Sequence, residues 1–369
     1  MKGRWDAYCL FSREEEITGF WKEYYSADKP KRQVVFILGK GFDPRMLNVL
    51  ELLCRQNLNV DLRCYLISFP YDSKYTYGHL VEKNEKALET LAKSYGFEVD
   101  TSILADLHDN WLNGIKKLVS SVAAIPAEGE NTDIIIDVSA LPRAIYFNIV
   151  RVLCAKYGNN VNIFAAASES VPIDKAIKED SYAEPEPLWG FSARLARSGR
   201  IDGFNVSIPL LGEGREDVLI DIIKKWHSED SCPILPFPSI DPRRSDDLLG
   251  NYQDILQNYL DVEPEQVAYA AEQNPFELYR IITGIINNYK ASFKPMTKNI
   301  CFLVPILTSK LQSVGALLAA IEYPRDVAIM CPVPSKYKIE PEELKKFDSY
   351  NRASEPFLMW ITGEAYNEE

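Results

Sequence analysis

The chain has 369 residues, 46% hydrophobic and 25% charged, which is the make-up of a globular protein with room for two domains or one large open sheet. Its formal net charge of −12 excludes a general binder of nucleic-acid backbones, which needs a basic face, but not a small anion held by a few local cations. No apolar run reaches the ~18 residues that span a bilayer, and the opening MKGRWDAYCLFSREEE lacks a signal-peptide core, so a cytoplasmic protein off the membrane is expected.

Residues 1–32, with Trp5, Phe11, Phe20, Trp21 and Tyr24, read as an amphipathic helix covering a sheet face. Residues 33–170 then alternate strands with helices. A strand at 34–38 runs into Gly39-Lys40-Gly41 and a helix over 46–53, and a second strand covers 62–69. Helices over 78–95 and 107–123 precede a strand at 133–138, a helix over 144–156 and a strand at 161–166. Residues 171–203, rich in Pro and Glu, read as a linker with a short helix.

Residues 204–335 repeat the order. Strands fall at 204–211, 232–237, 299–305 and 327–331, and helices over 217–226, 247–259, 264–273, 276–289 and from Lys310 to 321. Residues 336–369 form a tail whose Phe357-Leu358-Met359-Trp360 needs a surface to pack on. Gly39-x-Gly41 answers to Gly212-x-Gly214, Phe69-Pro70 to Phe237-Pro238, and Arg143 to Lys310, all offset by about 170 residues. The expected fold is therefore α/β, with two tandem Rossmann-like parallel-sheet halves related by internal duplication.

In such sheets ligands bind beyond the carboxyl ends of the strands, where helix N-termini present free N–H groups. The candidate ligand-binding residues lie there: Gly39, Lys40, Gly41, Arg45, Ser139 and Arg143 in the first half, and Gly212, Gly214, Arg215, Thr308, Ser309 and Lys310 in the second. The glycines let backbone approach a ligand, the hydroxyls donate, and the cations meet phosphate. Asp43 and Pro44 fit a helix start, leaving Arg45 to face ligand or solvent. Gly39-Lys40-Gly41 is neither a dinucleotide fingerprint nor a P-loop. Seven scattered cysteines without C-x-x-C and three distant histidines point to reduced thiols and to no metal or cofactor.

The Asp137-Val138-Ser139 strand end, followed by a basic residue and a long helix, resembles the CRISPR-associated Rossmann fold sensor domains. Two such units in one chain resemble the SAVED sensors of bacterial anti-phage systems. The loop Ser-Ala-Leu-Pro-Arg departs from the family by lacking its glycines. The resemblance implies a nucleotide ligand, a role in antiviral defence and an effector on another chain. The leading expectation is a binding protein for a phosphorylated small molecule, a nucleotide, with Arg143 and Lys310 meeting its phosphates and a protein partner receiving the signal. An enzyme acting on a nucleotide or sugar phosphate, with Asp137 as base or metal ligand, and a structural subunit of a larger assembly are the alternatives.

Overall fold

The computed structural model describes residues 3–69, 76–105, 111–127, 131–182, 184–194, 203–297, 299–331 and 333–367. In chain order it begins with strand β1 (Cys9–Ser12), helix α1 (Arg13–Tyr24), β2 (Arg32–Gly39), α2 (Asn48–Arg55), β3 (Val60–Ile67) and α3 (Gly78–Tyr95). Next come β4 (Glu98–Asp100), α4 (Trp111–Ala123), β5 (Thr132–Asp137), α5 (Arg143–Tyr157), β6 (Asn162–Glu169), α6 (Val171–Ala176), β7 (Lys178–Tyr182) and β8 (Pro187–Ser192). Then follow β9 (Phe204–Ser207), α7 (Glu216–Lys225), β10 (Asp230–Ser231), β11 (Ile234–Pro236), α8 (Arg244–Asn258), β12 (Ala268–Ala270) and α9 (Pro275–Phe293). The remainder is β13 (Ile300–Pro305), α10 (Lys310–Glu322), β14 (Val327–Met330), β15 (Pro334–Lys338), α11 (Pro341–Leu344), α12 (Phe347–Arg352) and β16 (Glu355–Thr362). The chain divides into two compact units, the first made of Tyr8–Ala176 and Ile339–Glu369, the second of Met1–Ala7 and Ile177–Lys338.

The first unit is built on a seven-stranded sheet in the order β1-β16-β6-β5-β2-β3-β4. Strands β2 to β6 are all parallel, and by order of appearance they run third, second, first, fourth, fifth across the sheet. This is the doubly wound Rossmann-like arrangement, with its reversal between β2 and β5. Both faces of these central strands are covered, which is why Val34 to Leu38 and Ile134 to Ile136 are uninterruptedly apolar and buried. On one face α2 contributes Val49, Leu50, Leu52 and Leu53 to the core, and α1 contributes Ile17 and Trp21.

Polar groups close the amino ends of the same strands. Arg32 at the start of β2 grips buried Asp133 of β5 with two hydrogen bonds of 2.8 and 2.9 Å. Asn162 of β6 donates to the same carboxylate at 2.9 Å and to the Tyr24 hydroxyl at 2.8 Å, and Tyr24 donates to Glu364 at 2.6 Å. Burial pushes the Asp133 carboxyl above its ordinary range, against the opposing pull of Arg32 and Asn162.

The second unit repeats the parallel order. Its main sheet runs β10-β9-β13-β14-β8, with β14–β8 antiparallel. Strand β11 pairs in parallel with β12 and is tied to the main sheet by a bridge between Leu210 and Ile234. Taking β10 and β11 as one interrupted strand, the order is again third, second, first, fourth, fifth, with the reversal between β9 and β13. Each unit adds an antiparallel strand beside its fifth parallel one: β16 beside β6, and β8 beside β14.

Several expectations are corrected. The opening segment is strand β1 followed by α1, not one helix, because Cys9 to Ser12 pair with Phe357 to Trp360 of β16. Residues 264–273 form a 3-10 turn and then β12, since pairing with β11 outweighs the helix preference of an Ala-rich run. The expected linker contains β8, whose Leu188 and Phe191 are buried, and β7, which pairs with β15. The apolar tail residues are β16, inserted between β1 and β6. All seven cysteines are free thiols, and no helix among the described residues is long and apolar enough to cross a membrane.

Candidate anion-binding rims

Parallel strands end on one edge, so each unit has a single rim where the loops after its strands gather. In the first unit the loops after β2 and β5 flank the strand-order reversal and touch each other. A Cβ on Gly39 would lie 2.6 Å from Leu141 Cδ2 and 3.3 Å from the Ala140 carbonyl oxygen. A side chain there would crowd Leu141, so glycine serves this loop-on-loop contact. The Asn84 amide of α3 donates to the carbonyls of Gly41 and Asp43 at 2.9 and 3.0 Å and holds the Gly41 turn.

The fourth strand ends in a tight internal turn. The Ser139 amide donates to Asp137 Oδ1 at 2.9 Å, and the Ser168 amide donates to Ser139 Oγ at 2.8 Å. Asp137 and Ser139 are each 1% exposed. These groups bind the β5 and β6 ends together, so the Ser139 hydroxyl is engaged within the protein and Asp137 stands away from solvent.

The basic residues of this rim differ in burial. Arg45, expected to face ligand or solvent, is buried: its guanidinium meets Asp43 Oδ2 at 2.7 Å and Asp174 Oδ1 at 2.8 Å. Burial works against its charge, but the Asp174 and Asp43 carboxylates outweigh that and hold its pKa well above the ordinary value. Asp43 also accepts from the Arg45 amide at 3.0 Å, capping the short 3-10 helix that begins at Pro44. Lys40 is paired with Glu85 of α3 at 2.7 Å. Arg143 is the first residue of α5 and is partly exposed.

The second rim has the same plan. A Cβ on Gly212 would lie 2.1 Å from the Leu307 carbonyl oxygen, so the loops after β9 and β13 also touch. The Tyr252 hydroxyl donates to the Gly212 carbonyl at 2.7 Å. Gly214 takes φ 67, a left-handed turn that glycine adopts without strain. Arg215 is paired with Glu179. Ser309 is the N-cap of α10, accepting from the Gln312 amide at 3.2 Å, and the Thr308 hydroxyl donates to the Gln312 side-chain oxygen. Lys310, the first residue of α10, is partly exposed, as Arg143 is at the start of α5.

Sequence reasoning missed the central cation of this rim. Arg244, at the start of α8, donates to both Glu213 oxygens at 2.7 and 2.8 Å and pairs with Glu272. The other Glu272 oxygen accepts the Ile240 amide at 2.9 Å. The only available signal was an Arg-Arg pair at a helix start, with no indication of its distant acidic partners. Two shallow depressions lie elsewhere, one of about 520 Å³ at the β4 edge (Arg63, Glu98, Asp100) and one of about 410 Å³ beside α3 (Glu51, Lys86, Ser94). Neither includes an expected ligand-binding residue.

No family model matches the chain, and no curated protein matches it. Among solved structures it is similar to the cytoplasmic domain of a prokaryotic cation chloride cotransporter, at 10% identity over 83% of this chain and 96% of that one, with a TM-score of 0.26. A protein described as a universal stress protein from Pseudomonas aeruginosa UCBPP-PA14 gives 10% identity, 87% and 98% coverage and 0.24. Coclaurine N-methyltransferase gives 8%, 95% and 70%, and 0.22. At these scores the likenesses carry no argument about what the chain binds or does.

Proposed function

We propose that the chain is a binding protein for a small phosphorylated molecule, with a nucleotide as the ligand class and the two units as copies of one ancestral unit. The observation that carries this reading is positional. In each unit, the helix following the fourth parallel strand, beside the strand-order reversal, begins with a partly exposed cation: Arg143 on α5 and Lys310 on α10. A cation there adds to the positive end of the helix dipole, where phosphate is favoured. The resemblance to the CRISPR-associated Rossmann fold sensor domains, which bind cyclic oligonucleotides, supports including cyclic nucleotides in the class and a defence role with a separate effector.

Turnover by Asp137 is not favoured, because its carboxylate is almost wholly covered and one oxygen is committed to the Ser139 amide. Equilibrium dialysis against mononucleotides, dinucleotides and cyclic oligonucleotides tests the reading. Arg143→Ala and Lys310→Ala each weaken binding by about tenfold or more, as expected for loss of a charge-assisted phosphate contact, and the pair abolishes it. The melting temperature stays nearly constant. Binding by none of these ligands, or binding unchanged in the double variant, defeats it.

A further inference from the structure

Within the second unit, the loop after β11 and the adjoining strand β12 present a surface that the anion reading does not use. Phe237 is 50% exposed, Ile240 65% and Tyr269 46%, and the rings of Phe237 and Tyr269 meet edge to face at 6.0 Å. Apolar side chains in a mobile loop would mean little, but this loop is fastened. The Phe237 amide donates to the Ala270 carbonyl at 2.8 Å, the Glu272 amide to the Pro238 carbonyl at 2.9 Å, and the Ile240 amide to Glu272. Arg244 in turn holds Glu272. The aromatic and aliphatic groups are therefore displayed from a fixed backbone, which lowers the ordering cost of binding.

The strand beside them ends its sheet. Among the described residues β12 pairs with β11 alone. The Ala268 amide and the Ala270 carbonyl point to the β11 side, where they meet the Pro233 carbonyl and the Phe237 amide. Backbone groups alternate along a strand, so the N–H and C=O of Tyr269 point to the outer edge. The surroundings are acidic: residues 237–247 and 263–273 hold six carboxylates and two arginines. One of those arginines, Arg244, is already neutralised by Glu213 and Glu272. Asp241, Asp246, Asp247, Glu263 and Glu265 are exposed.

We propose that this edge takes an extended peptide segment of a protein partner, with alternating apolar and basic residues, added as a strand beside β12. The apolar side chains rest on Phe237, Ile240 and Tyr269, the backbone pairs with Tyr269, and the lysines or arginines face the carboxylates. This is independent of the rim reading, and either stands if the other fails.

The test pans a random dodecapeptide library displayed on phage against the full chain, then measures enriched peptides by fluorescence anisotropy. Enriched sequences are expected to alternate apolar and basic residues and to lack proline, with affinity falling as salt is raised. N-methylation of alternate peptide amides, and separately the exposed double change Phe237→Ala/Tyr269→Ala, each weaken binding at least about tenfold, the second with an unchanged melting temperature. The proposal is overturned if enriched peptides are acidic, if they bind the double variant equally well, or if nothing is enriched on the unaltered protein relative to that variant. It is also overturned if sedimentation shows a dimer that the double change makes monomeric, since the surface then belongs to a second copy.

Discussion

The two units share one parallel strand order, and in each a rim arginine joins a buried carboxylate to a half-open one, but what the pair fastens differs. In the first, Arg45, 3% exposed, joins buried Asp43 to half-open Asp174. In the second, Arg244 joins half-open Glu213 to Glu272, and apolar side chains stand in solvent next to it. The difference follows from where the second carboxylate comes from. Asp174 arrives on α6, after the fifth strand, and folds over the arginine, whereas Glu272 follows the third strand and fixes the outlying Ile240 loop. Equal topology thus gives two rim arginines that fasten different things, helix α6 in the first unit and the apolar Ile240 loop in the second.

Hydrogen exchange in β5 and β13 reads the stability of each unit separately and gives three ways to break or sharpen this contrast. Deleting residues 355–369 has the largest effect. Phe357, Leu358, Met359, Trp360 and Ile361 are buried, and at about 1.5–3 kcal/mol each their loss is on the order of 10 kcal/mol, comparable with a whole domain's stability. Protection in β5 should vanish while β13 keeps its own; equal loss in both contradicts the division into units.

Next comes the arginine comparison. Arg45→Met strands the buried Asp43 carboxylate, with Asp174 left to solvent, and should lower β5 stability by about 3–5 kcal/mol. Arg244→Met also strands a buried carboxylate, Glu272, but replaces a more exposed arginine, 13% against 3%, and should lower β13 stability by about 1–3 kcal/mol. A reversed order would show that the first rim is no more closed than the second.

The smallest effect is a tilt with pH. The folded pKa of Asp133 is raised by burial, so its favourable contribution is present in acid, below the ordinary value of about 4, and fades as pH rises through the folded value. Asp133→Asn should therefore compare worst with the parent in acid and better as pH rises across that window. A difference that is flat or opposite in slope would mean that Arg32 governs the carboxylate instead.

Legibility in the sequence followed the length and burial of each element. The runs at 34–38, 134–136 and 302–304 were plain because strands covered on both faces are apolar without interruption. Strand β12 looks helical in the sequence because three residues carry no periodicity, and its partner β11 lies more than thirty residues upstream. The apolar run at 357–360 announced that it needed cover, but nothing local could name β6 as its neighbour. At the rims, the positions of Gly39, Gly212, Arg143 and Lys310 were legible. The reason for the glycines was not, since it lies in Leu141 and Leu307 across the strand reversal. The fate of Arg45 was hidden for the same reason: Asp174 is a distant residue with no motif of its own.

The placing of β16 has a consequence for synthesis. A ribosome releases β1 to β6 long before residues 355–362, with Ile177–Lys338 of the second unit in between. Throughout that interval the nascent β6 has one margin without its permanent neighbour, and its long-range closure is slow by nature. The newborn chain therefore passes through a stage in which that margin invites other strands, and holding chaperones should engage it there and let go once residues 355–362 have emerged.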